Sequence, residues 1–590
     1  MADQVLVSFA LNGEEVEIGA GVSLLIALRE GLGITSVKDG CAPQGQCGCC
    51  TVLVDGEPRV ACVTPVERVA GRAVTTIEGL EPGERDGLAE AFCATGGSQC
   101  GFCTPGILVR AASMVRRGKT SRVDMDRALA AHLCRCTGWQ TIYETLDRAA
   151  AHGVAQSSNA GRAGRDFDAA TERARLEGGV TQRVMTDVPL GAGGFADDLA
   201  PRDALVAVPL QPGISADGAV EAAGALWVVG ESPMEARAGA GKVQGRRTTV
   251  EQRPPLELPP LPDGGVRLAT SWVDPAYLEP DASWCVPGGD PATPLANGGA
   301  FGGKESSVVA RVARELADRF ARPVRVLYSR EDTVRLGPKR APISASAVVM
   351  PSEGSTNSAD PSILISGRVA RDGLAVFGAT YKWPYRLEVK VEAEPVDLVG
   401  PTVASGVRAS GWAEQVVLVE GAIAAAGIDR RALVTDERSA SVLLDTCVRA
   451  CTGALAGARV TLDPSSGALA DVQVCVAAGD PLDEVVLRSY AIGAVHMALG
   501  WVLSEGLTVD PATGELLDLT IRSFGIIRAK DTPPIRIRIL DDPGPPLGRS
   551  SDAVLAAVAA ATWNALAQHL VVRPESFPAS GTPAARMLRR

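Results

Sequence analysis

Eight cysteines near the start of the chain form two sets of four whose spacing is typical of metal-cluster ligands. The first set is Cys41, Cys47, Cys50 and Cys62, and the second is Cys100, Cys103, Cys134 and Cys136. Four thiolates hold either a zinc ion or an iron–sulfur cluster. The first set follows a C-x5-C-x2-C pattern, one residue longer in its first gap than the plant-type [2Fe–2S] spacing. A zinc ribbon pairs two C-x2-C knuckles, so the spacing favours iron–sulfur and leaves zinc as the alternative.

Two glycines and one further cysteine lie inside the first cysteine run. Gly45 and Gly48 allow backbone N–H groups to turn toward the sulfur atoms, because glycine tolerates the conformations that this requires. Cys49 is adjacent to Cys50, but Cys50 keeps the two-residue gap from Cys47. We therefore expect Cys50, and not Cys49, to be the ligand.

The residues around the two cysteine sets predict two small domains of different type. Residues 4–80 contain short alternating segments and two hairpin signals, Asn12-Gly13 and Asp55-Gly56, with one helix between them. This pattern predicts a β-grasp, ferredoxin-type domain over residues 1–80. Residues 83–150 have helical periodicity, and Pro105 stands where a helix begins. They predict a helical bundle over residues 81–155.

Bulk properties limit the possible partners and location of the chain. The chain has 590 residues, enough for three or four domains, and a net charge of −11 with no long basic stripe, so nucleic acid is not an expected partner. It has neither a leader-like start nor an apolar run of 18 residues, so we expect no membrane association. Thiolate-ligated iron fits a reducing compartment, and a cytoplasmic location is the expectation.

The strings GCAPQGQCGCCTVLVDG, SQCGFCTPG and LCRCTGW resemble the iron–sulfur part of the xanthine oxidase / aldehyde oxidase family of molybdenum hydroxylases. The resemblance covers roughly residues 1–155 and implies two [2Fe–2S] clusters, one for each cysteine set. It also implies a role for Gln99, because the family places this glutamine beside the pterin of its molybdenum centre. Gln99 is therefore a candidate cofactor contact and electron entry point, with an ordinary surface glutamine as the alternative.

The remainder of the chain resembles a shortened large subunit of the same family. The string GGAFGGKESS resembles a pterin-contacting loop, which makes Gly298, Gly299, Gly302 and Gly303 candidate cofactor contacts; a tight turn before a helix is the alternative. Further similar segments follow in order toward the end. The prediction is an α+β multidomain chain with a linker at 156–185 and a shortened, degenerate molybdopterin-binding-like α+β region at 186–590.

Several departures from the family pattern affect the expected active site. About seventeen residues separate Pro280 from Gly298, where the family has a much longer region. The family's catalytic glutamate aligns with Asp552, whose shorter side chain suits a helix cap as well as a general base. The family's Gly-Gln pair aligns with Ser489-Tyr490, and its Arg-Gly element with Ser405-Gly406 or Arg408.

Three functions remain open at this stage. The first is an electron-transfer subunit of a multi-chain hydroxylase, with molybdopterin and FAD on partner chains, a molybdenum-binding subunit and a FAD-binding subunit. The second is a complete fused hydroxylase of purines, N-heterocycles or aldehydes that uses Asp552. The third is a non-catalytic, redox-sensing iron–sulfur protein.

Overall fold

The computed structural model describes residues 5–41, 43–152, 165–242, 248–350 and 360–588. In chain order its strands are β1 (Leu6–Leu11), β2 (Glu14–Gly19), β3 (Thr51–Val54), β4 (Glu57–Val60), β5 (Ala73–Thr75), β6 (Leu205–Pro209), β7 (Val220–Ala222), β8 (Ala225–Gly230), β9 (Val266–Thr270), β10 (Ala282–Cys285), β11 (Val324–Leu327), β12 (Ile343–Met350), β13 (Ser362–Ala370), β14 (Glu388–Val396), β15 (Thr446–Arg449), β16 (Leu455–Leu462), β17 (Leu469–Ala477), β18 (Ile535–Ile539) and β19 (Ser576–Phe577).

The helices are distributed along the whole described chain. They are α1 (Leu24–Ile26), α2 (Pro82–Thr95), α3 (Thr104–Arg116), α4 (Arg122–Leu129), α5 (Gln140–His152), α6 (Phe167–Gly178), α7 (Ala196–Leu199), α8 (Pro233–Ala240), α9 (Val309–Phe320), α10 (Arg330–Leu336), α11 (Leu374–Phe377), α12 (Trp412–Ala425), α13 (Arg430–Leu433), α14 (Glu437–Val442), α15 (Glu484–Leu503), α16 (Ser550–Leu570) and α17 (Pro583–Met587). The fold is therefore of the mixed α+β type that the sequence predicts.

The first five strands form one mixed sheet in the order β2-β1-β5-β3-β4. The turns at Asn12-Gly13 and Asp55-Gly56 join the antiparallel pairs β1–β2 and β3–β4. All four turn residues have positive φ, which is the conformation that two-residue hairpins require. The helix α1 continues into a π-helical turn that ends at Gly31, as the sequence indicates. The sheet and this helix carry the first cysteine set.

Four helices, α2 to α5, form the region that carries the second cysteine set. Pro105 lies in the first turn of α3, where the missing N–H of proline costs no hydrogen bond. Ser121 caps α4 by accepting a hydrogen bond from the Asp124 N–H. Gly96, with φ of 71°, ends α2 in the left-handed conformation. These local signals explain why the helices are where the sequence places them.

The segment predicted as a linker at 156–185 is in part a packed helix. Its first part, residues 156–164, lies outside the described residues, but α6 occupies Phe167–Gly178 with Asp166 as its N-cap. Ala170, Arg173, Ala174 and Glu177 are buried and recur at helical spacing. The prediction was wrong here because half of the buried face is charged: Arg173 and Glu177 form a fully buried ion pair, which conceals the apolar period.

Three further sheets and two long helices make up the rest of the fold. The sheets have the orders β10-β11-β6-β8-β7, β14-β13-β12-β9-β19 and β15-β16-β17-β18. The helices α15 and α16 are long and apolar enough to cross a membrane by length and composition alone. However, 89% and 72% of their most apolar windows are buried inside the fold. A helix that is apolar on every side is expected in a protein interior, and these are core helices here.

The amino-terminal region shares a hydrophobic core with the carboxy-terminal region. Buried residues of the cysteine-bearing part pack in one cluster with Trp272, Leu278, Leu519 and Phe524, which are far away in the sequence. Arg330 reinforces this contact, because its buried guanidinium donates to the carbonyl oxygens of Gly40, Tyr277 and Leu278. The two regions are therefore packed into each other along a continuous apolar surface.

Candidate metal centres and the adjoining cavity

The first cysteine set comes together because a hairpin and a loop meet. Strands β3 and β4 pair Thr51 with Val60, which brings Cys50, just before β3, next to Cys62, just after β4. The Cys62 N–H accordingly donates to the Cys50 Sγ over 3.4 Å. The thiol of Cys41 contacts those of Cys47 and Cys62. All four thiols are buried and none forms a disulfide bond.

Backbone geometry in the first loop favours thiolate at Cys41. The pKa of Cys41 is lowered well below its usual range, chiefly by hydrogen bonds from the Cys47 and Cys62 thiols and also by the Gln46 N–H, which lies 3.4 Å from Cys41 Sγ. Gly45 and Gly48 have φ of 68° and 71°, so the loop needs glycine at both positions. At Cys47, contacts with the Cys41 and Cys49 thiols together with burial raise the pKa well above its usual range, so the thiolate that the loop favours is that of Cys41.

The extra residue of the first loop is accommodated by contact with the carboxy-terminal region. The Gln44 side chain donates to Glu331 over 3.0 Å and to the Leu519 carbonyl over 3.2 Å. Its amide oxygen accepts from the Ile521 N–H. The longer loop thus gains contacts with residues far along the chain, and the cysteines remain together.

The second cysteine set consists of two close thiol pairs at the start of α3 and before α5. The Sγ atoms of Cys100 and Cys136 are 3.5 Å apart, and the thiols of Cys103 and Cys134 are in hydrogen-bonding contact. Hydrogen bonds from Cys103 and then Thr137, opposed by burial, lower the pKa of Cys134 to about 7. The Cys134 Sγ lies 3.2 Å from the Thr137 hydroxyl.

The arrangement of the second set, with two separate thiol pairs, fits a two-iron cluster better than a single ion. Two thiolates on one tetrahedral metal ion lie roughly 3.7 Å apart at ordinary metal–sulfur distances, which is close to the separation of Cys100 and Cys136. Within the described ranges, no three His, Cys, Asp or Glu side chains surround a single ion position. A structural zinc ion needs four ligands around one point, so pairs of thiols favour [2Fe–2S] over zinc.

The two candidate centres are held close together by one glycine of α3. A Cβ atom on Gly106 would lie only 2.3 Å from the Gly48 carbonyl oxygen and 2.9 Å from that of Cys49. The loop of the first set therefore packs directly on the helix that begins at the second set. The Cys49 thiol is buried beside Cys47 and donates to the Cys47 carbonyl over 3.8 Å.

Arg135, between two cysteines of the second set, is paired with a residue that sequence reasoning missed. Its guanidinium is buried and donates to both carboxylate oxygens of Glu505, over 2.5 and 2.7 Å. It also donates to the Pro275 carbonyl. The positive charge of Arg135 is therefore neutralised inside the protein.

A cavity of about 60 Å³ lies beside the second set and brings together the elements that the family resemblance singles out. Many of its wall residues come from segments aligned with a cofactor or substrate element. They include Gln99, Gly299, Gly302, Gly406, Arg408, Tyr490 and Asp552. Segments separated by hundreds of residues therefore converge as the resemblance implies. Gln182, Glu177 and Glu305 also line this cavity and were not anticipated.

The four glycines of the 298–303 loop face protein atoms. A Cβ on Gly302 would lie 1.8 Å from the Gly406 carbonyl oxygen, and one on Gly299 would lie 2.8 Å from Cys100 Cβ. A Cβ on Gly298 would lie 2.5 Å from Gln182 Oε1, and one on Gly303 would lie 2.4 Å from Tyr277 Cε1. The loop therefore uses its glycines for close packing within the chain.

The candidate carboxylate Asp552 is held by an arginine. Asp552 accepts from Arg408 over 2.9 Å, and both side chains are nearly buried. It is not the N-cap of α16: that position is Arg549, and Asp552 is the third helical residue. Glu177 instead serves the start of this helix, accepting from the Ser550 hydroxyl and the Ser551 N–H. The expectation that Asp552 caps α16 was wrong, because the Glu177 carboxylate of α6 accepts the hydrogen bonds at the start of this helix.

Gln99 and Tyr490 make hydrogen bonds within the chain at the positions where the family would contact a cofactor. The Gln99 amide donates to the Cys136 carbonyl over 3.0 Å and to the Ser489 hydroxyl over 2.9 Å. The Tyr490 hydroxyl donates to Gln182 over 2.7 Å. Gln99 is only 7% exposed, so it is neither a surface glutamine nor placed at an open interface.

These contacts test whether a molybdopterin fits the cavity. Ligand pockets of drug-sized molecules usually have volumes of roughly 300–1,000 Å³, whereas this cavity has about 60 Å³. The Gln99 Nε2 group is already paired, and the Arg408–Asp552 ion pair lies in the wall. The residues present do not fit the cofactor.

Comparison with known proteins gives a strong match to the first quarter of the chain. A family model described as a [2Fe-2S] binding domain matches residues 76–147. The isoquinoline 1-oxidoreductase subunit alpha of Brevundimonas diminuta is 38% identical over 149 residues, which are 25% of this chain and 97% of that protein. The xanthine dehydrogenase iron-sulfur-binding subunit of Escherichia coli O157:H7 is 35% identical over 151 residues, 25% of this chain and 94% of that protein.

The fold of the whole chain is similar to that of a solved enzyme. The aldehyde oxidoreductase from Desulfovibrio gigas superposes with a TM-score of 0.74, covering 99% of this chain and 100% of that chain. Sequence identity in this superposition is 16%. The likeness at that identity concerns the fold, and it extends well beyond the residues that match in sequence.

Proposed function

The chain belongs to the xanthine oxidase / aldehyde oxidase family of molybdenum hydroxylases, and we propose that it is an electron-transfer component of such an enzyme whose own molybdenum-type cavity is closed. The observation that carries this proposal is the contrast between the two sites. Both sets of four thiols are assembled and buried, while the cavity beside them is filled by contacts of the chain with itself.

We assign the first set as ligands of one [2Fe–2S] cluster and the second set as ligands of another. Such a cluster, when bound, carries one electron at a time. The chain's residues keep the two centres adjacent through Gly106, exclude water from the thiols, and neutralise the nearby Arg135 with Glu505. Iron analysis and EPR spectroscopy of the reduced protein test the assignment. Two distinct [2Fe–2S] signals are expected, and a colourless protein with zinc in both sites would overturn it.

The surface around the first set suits electron exchange with a partner. Val63, which follows Cys62, is 53% exposed, and a Cβ on Gly45 would touch its methyl groups. The edge of the first centre therefore reaches the protein surface at an apolar residue. We propose that a FAD-bearing partner chain docks here, while a separate molybdenum-bearing chain supplies electrons at the second centre.

The buried state of Gln99 limits how that molybdenum-bearing chain approaches. The Gln99 Nε2 group already donates to the Cys136 carbonyl and the Ser489 hydroxyl, so a partner's cofactor would find this donor already paired. The partner would instead face the mouth of the cavity, where Arg549 has a half-exposed side chain. Cross-linking of a co-purified complex tests this: cross-links should involve residues near Arg549, and none there would contradict the docking.

The second candidate is a complete fused hydroxylase, and one observation favours it. The aligned elements of the family, including Asp552, converge on a single cavity. An assay for hydroxylation of purines, N-heterocycles and aldehydes by the purified chain distinguishes the candidates. Our proposal predicts no turnover by the chain alone together with dye reduction when electrons are supplied, and turnover that is abolished by Asp552→Ala would favour the fused enzyme.

A further inference from the structure

A buried cysteine that belongs to neither set lies close to thiols of both sets. Cys49 is 1% exposed, and its thiol forms no disulfide bond. This thiol is in hydrogen-bonding contact with the thiol of Cys47, a member of the first set. It also interacts electrostatically with the thiols of Cys134 and Cys103, which belong to the second set. Cys49 therefore occupies the region where the two sets approach each other.

The backbone of Gly40 leaves the space that this thiol occupies. A Cβ atom on Gly40 would lie 3.1 Å from Cys47 Sγ and 3.2 Å from Cys49 Sγ. The same atom would lie 3.1 Å from Cε1 of Phe102, which stands in the loop of the second set. Arg330 fixes this backbone, because its buried guanidinium donates to the Gly40 carbonyl over 2.7 Å. Two sulfur atoms of the first loop and a ring from the second loop therefore surround one point.

The hydrogen bond between Cys49 and Cys47 has one possible direction once Cys47 is a metal ligand. A cysteine that binds a metal is a thiolate and has no proton to donate, whereas the S–H group of Cys49 is a weak donor. The bond from Cys49 to the Cys47 carbonyl is long, at 3.8 Å. A charged sulfur is a better acceptor than a distant carbonyl oxygen, so Cys49 donates to the Cys47 sulfur.

A hydrogen bond to a ligand sulfur favours the reduced form of a cluster. Reduction adds one negative charge to the cluster and its sulfur ligands, so such a hydrogen bond strengthens on reduction and raises the reduction potential. Cys49 contacts Cys47 directly, whereas it reaches Cys134 and Cys103 only through electrostatic interaction. The Cys49 thiol therefore raises the potential of the first centre more than that of the second.

We propose that Cys49 is a positioning residue that raises the reduction potential of the first centre and so favours electron transfer to it from the second centre. In that step the second centre loses one electron, the first centre gains it, and Cys49 keeps its proton. This inference rests on the proposed electron-transfer role, because it requires a cluster at each cysteine set. A thiol that only filled space would leave the potential of the first centre unchanged.

Potentiometric EPR titration of the full-length, iron-loaded protein, with dithionite as the reductant, tests the proposal. Cys136→Ser identifies the two signals, since the signal that it removes belongs to the second centre. Cys49→Ala should lower the equilibrium constant for reduction of the first centre about threefold to tenfold, where tenfold corresponds to about 59 mV for one electron. The second centre should change less. Cys49→Ser replaces the S–H donor by an O–H donor and should keep the potential near its unmodified value.

The matched control is Cys285→Ala. Cys285 is also a buried thiol that donates to a backbone carbonyl, that of Val286 over 3.3 Å. It lies at the end of β10 and belongs to neither cysteine set. Its replacement removes a thiol of the same size without touching a ligand, so it should change neither potential.

Three results would overturn the tuning role and leave the electron-transfer role standing. The first is an unchanged potential of the first centre in Cys49→Ala at full iron content, which would make Cys49 a packing residue. The second is loss of iron from Cys49→Ala, which would make Cys49 a ligand. The third is an equal shift in Cys49→Ser and Cys49→Ala, which would mean that volume and not the donor sets the potential. Zinc in place of iron in the unmodified protein would overturn both roles.

Discussion

The cysteine-bearing region and the cavity next to it differ in how closely their side chains keep to the pattern of the family. In the first, every thiol that the family pattern calls for is present, buried and close to its partners. In the second, the backbone elements converge as in the family, but Ser489, Tyr490 and the Arg408–Asp552 pair fill the space with contacts inside the chain. The described residues thus combine two assembled sets of thiols with a small cavity whose wall groups are paired within the chain.

The largest expected effect comes from removing one ligand of the second centre. Cys136→Ser takes one thiolate from the pair with Cys100, so we expect loss of one cluster, with iron falling by about half and one EPR signal disappearing. Cys93→Ser is the control, since Cys93 is buried but belongs to neither set. Equal iron content in Cys136→Ser and the unmodified protein would contradict the ligand assignment.

The next effect tests whether the glycine loop is packed. Gly302→Ala places a methyl group 1.8 Å from a backbone oxygen at a φ of 82°, so the free energy of unfolding should fall by about 3 kcal/mol or more. Gly83→Ala, in the open space around α2, is the control and should be neutral or slightly stabilising. A Gly302→Ala protein as stable as the control would mean that the loop is open, as a cofactor site requires.

Removing the partner of Arg135 should affect both stability and redox behaviour. Glu505→Gln leaves a buried guanidinium without its counter-charge, which should cost about 3 kcal/mol. The uncompensated positive charge should also raise the reduction potential of the second centre while leaving the first unchanged. Potentiometric EPR titration measures this. Asp55→Asn, at an exposed ion pair, is the control and should change neither potential.

Acid should destabilise the carboxy-terminal core through His496. Burial is the main cause that lowers the pKa of His496 to about 3. Between that value and the ordinary pKa near 6.5, the unfolded chain binds the extra proton, so stability falls as the pH falls through this window. At pH 5 the contribution of His496 to this loss should be about 2 kcal/mol, and His496→Gln should remove that contribution. Urea unfolding at pH 7 and pH 5 measures the difference, with His569→Gln as the control variant.

The smallest effect is expected at Asp552. If the cavity is closed, Asp552→Asn should not change the rate at which a dye accepts electrons from the reduced protein. If the chain were a working hydroxylase, loss of the general base should lower its turnover about 100-fold or more. Stopped-flow dye reduction and the hydroxylation assay on the same preparation separate the two outcomes.

Much of the amino-terminal region was predictable because its signals are local. Hairpin turns, the proline at the start of α3 and the cysteine spacings act over short stretches of sequence. The helix α6 was missed because its buried face contains the Arg173–Glu177 pair. Two charged residues on that face make the segment look polar in the sequence. No periodicity or spacing reveals that the carboxylate of Glu177 meets the Ser551 N–H, 374 residues away.

The cavity shows the same limit of sequence reasoning. The resemblance singled out Gln99, Gly302 and Asp552, and all three line one cavity. It could not show that the Gly302 face is filled by the Gly406 carbonyl or that Arg408 holds Asp552. Those facts depend on distances between segments far apart in the chain, which decide whether a conserved-looking motif binds a ligand or packs.

Metal and pterin analysis of the chain, produced in a host that makes molybdopterin, tests the central claim most directly. Our account predicts about four iron atoms per chain, two for each thiol set, and no molybdenum or pterin above background. Stoichiometric molybdenum with pterin would contradict the closed cavity, and iron replaced by zinc would contradict the assignment of the two cysteine sets.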